Sequence, residues 1–313
     1  MNVPWWGWAS FAFLVLAMLS LDLGIGSRRR NGELTVRSAA LWSAAWIALA
    51  LFFGLVIFRL YGPASAVTYL TAYLLEKSLS IDNVFVFVLI FSEIRTPPSE
   101  QRRVLYWGVL GALVLRGALI AAGMFLLDRF HWVIYPFAAL IIFAAVRILF
   151  GQEKERRAVV AACAVCDSWV ARILPITPVL QGSRFFIRQG GRLVATPLLI
   201  ALIVVETTDL VFALDSIPAV FAVSRDPFLV YTSNVFAMLG LRSLYFLLAG
   251  VVERFRYLRL GLAAILAFVA GKMLLGDALP IPSWMSLAVI AVALACAMAL
   301  SVLLPPRPAL SRS

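Results

Sequence analysis

The sequence predicts an all-α membrane protein with nine transmembrane helices, its core an inverted three-plus-three repeat in which helices 3-5 recur as helices 6-8. Three observations predict it. Of 313 residues, 63% are apolar and only 14% charged, with a mean hydropathy of +0.97, whereas soluble domains carry roughly 25% charged residues. Uncharged apolar runs of about 18 residues or more, long enough to cross hydrocarbon, follow one another along the whole chain. Finally, the stretch from Phe130 to Gly151 aligns without a gap on the stretch from Phe255 to Gly276, an offset of 125 residues (255 less 130).

The runs cover 8–26, 39–57, 67–91, 104–127, 132–150, 195–223, 228–252, 258–275 and 283–304. The first is too long for the apolar part of a signal peptide. It ends in Ser27-Arg28-Arg29-Arg30 without a small-residue cleavage site, so it is expected to be retained. Trp5, Trp6 and Trp8 suit an interfacial belt. The chain divides into peripheral helices one and two (1–66), a first three-helix repeat (67–151), a cytosolic loop (152–194), a second, inverted repeat (195–276), and helix nine with a cytosolic tail (277–313).

The formal net charge of +11 would suit a nucleic-acid partner if it were spread over one surface. It is sorted by loop instead. Nineteen Lys and Arg residues fall in alternate connections, among them Arg28 to Arg30, Arg102, Arg103, Arg184 and Arg259. The intervening connections hold only Arg59, Arg129 and Arg225. The positive-inside rule then places the N-terminus outside and the C-terminus in the cytoplasm, as an odd number of spans requires; the expected location is a bacterial inner membrane, with no nucleic-acid partner. Cys163 and Cys166 form a lone CxxC in the cytosolic loop and read as ordinary loop thiols. His131 sits at an outer helix end. With no nucleophile, phosphate loop or histidine constellation, neither an enzyme nor a bound cofactor is expected.

The repeat extends beyond its best-matched stretch. Ala138-Ala139 corresponds to Ala263-Ala264, Phe143 to Phe268, Leu149 to Leu274 and Arg147 to Lys272, with Arg116 falling on Arg242 after a slip of one residue. Helix three repeats as helix six, because Glu76-Lys-Ser-Leu-Ser-Ile-Asp82-Asn83 lines up with Asp209-Leu-Val-Phe-Ala-Leu-Asp215-Ser216. Three-helix units place the second copy upside down relative to the first, an architecture of transporters.

Asp22, Glu76, Asp82, Glu206, Asp209 and Asp215 fall inside apolar spans, where an acid costs about 2.5–3.5 kcal/mol near the centre. Pairing with Lys77, Arg116, Arg242 and Lys272 accounts for one or two of them; an ion site accounts better for the set. Residues six apart lie about 240° apart on a regular helix. Glu76 would meet Asp82, and Asp209 meet Asp215, only across a helix break; Pro218 offers one in helix six and symmetry suggests another in helix three. Asn83, Ser216, Ser78, Ser80, Thr207 and Thr208 add hard oxygen donors, which with carboxylates suit Mn²⁺, Ca²⁺ or Mg²⁺ over copper or zinc. Asn234 reads as a packing amide or a further ligand.

These two acidic segments resemble the signature segments of the TerC family of bacterial membrane proteins. Leu21-Asp22-Leu23-Gly24, Arg184-Phe-Phe-Ile-Arg, Asp226-Pro227-Phe and Gly240-Leu-Arg242-Ser-Leu-Tyr-Phe extend the resemblance over nearly the whole chain. The resemblance implies a nine-helix inner-membrane protein of a family named for tellurium resistance, whose Alx branch is associated with manganese efflux and with metal supply to exported enzymes. It places the family's acidic motif residues on Glu76, Asp82, Asn83, Glu206, Asp209 and Asp215.

The expected function is export of a divalent cation, Mn²⁺ first and Ca²⁺ or Mg²⁺ next, from a midplane site of Glu76, Asp82, Asn83, Glu206, Asp209, Asp215 and Ser216, with Asp22 as an outlying candidate. Alternatives are a Ca²⁺/H⁺ or general divalent exchanger coupled to a proton, and a non-transporting scaffold for stress-response or secretion partners that uses its basic loop.

Overall fold

A computed structural model describes residues 3–28, 36–150, 152–177, 182, 184–189, 191–249, 256–275 and 281–303. The chain is helical almost throughout. Helices α1 (Trp5–Arg28), α2 (Val36–Tyr61), α3 (Pro63–Glu93) and α4 (Pro98–Arg129) lead through a 3₁₀ turn at His131–Val133 into α5 (Ile134–Phe150). Helix α6 (Gln152–Ile173) and a hairpin of β1 (Phe186–Gln189) and β2 (Arg192–Ala195) precede α7 (Pro197–Phe221), α8 (Pro227–Leu239), α9 (Leu241–Leu248), α10 (Arg256–Leu275) and α11 (Ser283–Leu303).

Proline sets four of the starts: Pro63, Pro98, Pro197 and Pro227 occupy the first turn, where no intrahelical amide bond is lost. Asp226 caps α8 by accepting from the amides of Phe228 and Leu229 at 3.0 and 3.1 Å. Gly62, at φ 86° and ψ 173°, a conformation reached readily only by glycine, ends α2 and lets α3 begin at once.

Among the described residues, six helices are long and apolar enough to cross a membrane: α2, α4, α5 with its lead-in turn, α7, α10 and α11. The chain is therefore a multi-pass integral membrane protein. Of the other three sequence-predicted spans, the apolar run of helix α3 is interrupted by the charges of Glu76, Lys77 and Asp82 within two turns, and α1 is apolar over Trp5–Ser20, the part of it whose side chains are described. The seventh run is interrupted at Gly240, which divides it into the 13 residues of α8 and the 8 of α9.

The helix breaks expected beside the acids are absent. Helix α3 runs unbroken for 31 residues, and α7 for 25 with Pro218 inside it. A proline near a helix end removes one bond and leaves later turns intact, and the Pro218 carbonyl still accepts from Ala222 at 3.2 Å. The break lies at Gly240 instead. A β-carbon there would come within 2.7 Å of Lys77 Nζ and 3.3 Å of Trp46 Cβ. Lys77 uses this opening to donate to the Ala237 carbonyl, in the last turn of α8, at 3.3 Å.

Segment 152–194 is more ordered than a loop. Helix α6 packs against α3 and α7, with Val159 and Cys163 in one apolar cluster with Val84, Phe87, Phe91, Leu198 and Ala201. The hairpin pairs Phe186 with Ala195 and Ile187 with Val194. The Thr196 hydroxyl fastens its base by donating to the Arg184 carbonyl at 2.7 Å.

Helices α3 and α7 touch each other at the centre; α3 packs on α8, α7 on α4, and α5 on α10. Lipid is as apolar as these side chains, so close packing rather than water exclusion holds the helices together. Gly261 shows how close: a β-carbon there would lie 2.6 Å from Ala297 Cβ on α11.

Candidate functional site

On an unbroken helix, acids six positions apart face different neighbours. Glu76 of α3 and Asp209 of α7 turn to α4, where Arg116 stands between them. Its Nη1 donates to Glu76 Oε2 at 2.7 Å and to Ser216 Oγ at 3.3 Å, and its Nε lies 3.6 Å from Asp209 Oδ2. Arg116 is 2% exposed and Glu76 not at all. The second oxygens, Glu76 Oε1 and Asp209 Oδ1, are buried without a hydrogen-bond partner. Glu76 is therefore half satisfied and Asp209 is held by the ion pair alone, with Arg116 Nε also lacking a hydrogen-bond partner; buried oxygens in that state attract a cation or a proton.

Asp82 and Asp215 face the other way. Arg147 of α5 donates to Asp215 Oδ2 at 2.6 Å. Arg259 of α10 places Nε 3.6 Å from Asp82 Oδ1 and donates from Nη2 to Glu155 Oε2 of α6 at 2.9 Å, with its guanidinium 4.1 Å from the centre of the Phe85 ring. Burial raises the Glu155 pKa and the Asp82 charge adds to that, while Arg259 and Arg147 oppose it.

The two centres open on one small cavity whose polar lining is Asp82, Asn83, Arg116, Arg147, Asp215 and Ser216. About 20 Å³ of it is open to a water-sized sphere, which suffices for one water or one bare ion and for no organic molecule. Four predicted residues, Asp82, Asn83, Asp215 and Ser216, thus line one space. Glu76 and Asp209 reach that space through Arg116.

Glu206 stands apart. Its carboxyl group lies against Gly111 of α4, where any side chain would displace it, and its Oε2 is buried without a partner. The side chain of Asp22 lies outside the described residues. Ser80, Thr207 and Thr208 donate to carbonyls of their own helix at 2.7–2.9 Å, and Ser78 does the same to Leu74, so these hydroxyls serve the backbone rather than the cavity. Asn234 is buried, and its Nδ2 has no partner.

Ion pairing accounts for more of the acids than the sequence suggested. Four have an arginine, and Arg147 and Arg259 were not among the expected partners. Lys272 instead donates to Ser286 of α11 at 2.8 Å. Arg147 and Arg259 both lie inside apolar runs, and that is the signal that could have found them. Glu155 carried none, since it sits in a segment of many charges. Among the described residues, no three Asp, Glu, His or Cys side chains gather as a ready-made metal cage.

The Integral membrane protein TerC family matches residues 61–308, which include both acidic segments and every partner named above. The chain belongs to the TerC family. Its relatives include an uncharacterized membrane protein of Myxococcus xanthus, 49% identical over 91% of this chain and 88% of its own length. Proteins named "Putative membrane-bound redox modulator Alx" from Salmonella typhi and Escherichia coli K12 are 45% and 44% identical. The first match covers 90% of this chain and 89% of the relative, the second 90% of each. No solved structure matches. At the CxxC of this TerC protein, burial, then Glu93 and Cys166, push the Cys163 thiol up to about 11, and burial also raises Cys166, which lowers the thiolate fraction of both.

Proposed function

We propose that this TerC protein is a divalent-cation transporter, with Mn²⁺ export its first assignment. The observation that carries the reading is a set of buried acids that their arginines leave incomplete: Asp82 and Asp215 line the cavity, and Glu76 Oε1, Asp209 Oδ1 and Glu206 Oε2 are buried without a hydrogen-bond partner. In a low-dielectric interior such oxygens are costly unless cations or protons complete them. Oxygen donors alone suit Mn²⁺, Ca²⁺ and Mg²⁺.

The ion would bind between α3 and α7, at Asp82, Asn83, Asp215 and Ser216, with Glu76 and Asp209 behind it. Arginines that now hold the acids would have to yield or share them, which makes occupancy and arginine position alternatives of one switch. Alternating access by rocking of two inverted repeats is supported by the packing: α3 lies on α8 as α7 lies on α4, and α5–α10 and α3–α7 form pairs of corresponding helices. In this reading the nine spans comprise α1 to α5, α7, α8 with α9, α10 and α11. They lie in a bacterial inner membrane with the N-terminus outside.

The carboxyl of Glu206, free of any salt bridge among the described residues, favours a second reading: a cation/proton exchanger in which it carries the coupling proton. Everted membrane vesicles containing the protein separate the two. Addition of Mn²⁺ or Ca²⁺ to vesicles holding a pH gradient collapses the gradient in an exchanger and leaves it intact in a proton-independent exporter. Uptake of none of Mn²⁺, Ca²⁺ and Mg²⁺ above that of empty vesicles returns the function to the scaffold alternative.

A further inference from the structure

Helix α6 and the ion path meet at one side chain. Arg259 joins Glu155, in the first turn of α6, to Asp82, which lines the cavity from α3. We propose that Glu155 is a positioning residue that latches α6 onto the ion path through Arg259, so that release of the latch opens Asp82 to the face of the membrane on which α6 lies. The inference rests on the transport reading above and adds the residue that controls access to that site.

Exposure falls in order along the three side chains: 22% for Glu155, 14% for Arg259 and 9% for Asp82. The first two thus stand between the protein surface and the cavity. Arg116–Glu76, wholly buried, is a permanent strut, because separating such a pair strands two charges. The Arg259–Glu155 pair is part-exposed, so water can replace either partner and the pair can open. Opening does not leave the guanidinium without support, because the Phe85 ring lies 4.1 Å away. Beyond the latch, α6 is packed by Val159 and Cys163 on α3 and α7, the two helices that carry the acids. Any rocking of α3 against α7 must shift the seat of α6, and with it the latch.

The test reads access rather than flux. In a background with Cys163, Cys166 and Cys296 changed to Ala, Ser216→Cys reports from the cavity, and a membrane-impermeant charged maleimide, too large for the closed space and so a label of opened molecules alone, is added to one face of sealed vesicles at a time. Glu155→Gln is expected to raise the labelling rate from the α6 face by roughly 5-fold, the population shift that removal of a part-exposed ion pair allows, and to leave labelling from the other face unchanged. Glu155→Asp, which keeps the charge, should return the rate toward that of the parent. Glu153→Gln, which breaks only the exposed Glu153–Arg157 pair, should have no effect. Equal rates in the parent and Glu155→Gln, or an equal rise with Glu153→Gln, would overturn the latch. Because no metal is needed, a protein with a working latch and no cation flux refutes the transport reading alone.

Discussion

Arg116 is a buried guanidinium shared by Glu76, Asp209 and Ser216. Removing one partner of such a group leaves a buried charge uncompensated and costs about 3–5 kcal/mol. Glu76→Gln should therefore lower thermal stability in detergent far more than Asp215→Asn, whose pair with Arg147 is part-exposed. Equal melting shifts would show that the Arg116 centre is not the strut described. At Cys163 the displaced thiol leaves about a hundredfold less thiolate near neutral pH than an ordinary cysteine of pKa 9 holds. Alkylation at pH 8 should be about 100-fold slower than for a free thiol; rapid labelling would restore a redox role for the CxxC. The acids themselves were legible as residues, because a charge within an apolar run stands out. Their partners were not. Arg259 was counted among loop charges because it sits one turn inside its helix, and Arg147 passed as a repeat marker.

Among the elements, α3 and α7 were legible with their acids and with the wrong backbone. A break was expected so that acids six apart could meet. Arginines from three other helices made the break unnecessary by serving each acid on its own side. The interruption fell at Gly240, where Lys77 and Trp46 occupy the space a side chain would need. Helix α6 went unread because its first turn is charged, although Val159, Cys163, Cys166 and Val170 recur at helical spacing on one side. Packing between elements is tightest where glycine allows it. Gly261→Leu would drive α10 from Ala293 and Ala297 of α11, and overpacking of this kind costs about 1–3 kcal/mol. The expected result is a lowered melting temperature with both ion-pair centres, which lie elsewhere, left in place; an unchanged melting temperature would mean that α11 is loosely seated.

At the scale of the whole molecule, the two acidic segments lie on helices that touch each other, α3 and α7, with α3 packed on α8 and α7 on α4. The segments could be read because they align on one another in sequence. Which arginine serves which acid could not, because that depends on six helices converging. Buried carboxylate oxygens without partners, beside a space sized for one ion, support the proposal that the protein carries cations across the membrane. Flux of Mn²⁺ into proteoliposomes of the purified protein, followed with an entrapped metal-sensitive dye, tests that claim most directly. The parent should carry Mn²⁺, and Asp82→Asn and Asp215→Asn should each lose most of that flux while remaining folded. Parent-like flux in both variants, or none in the parent, would contradict it.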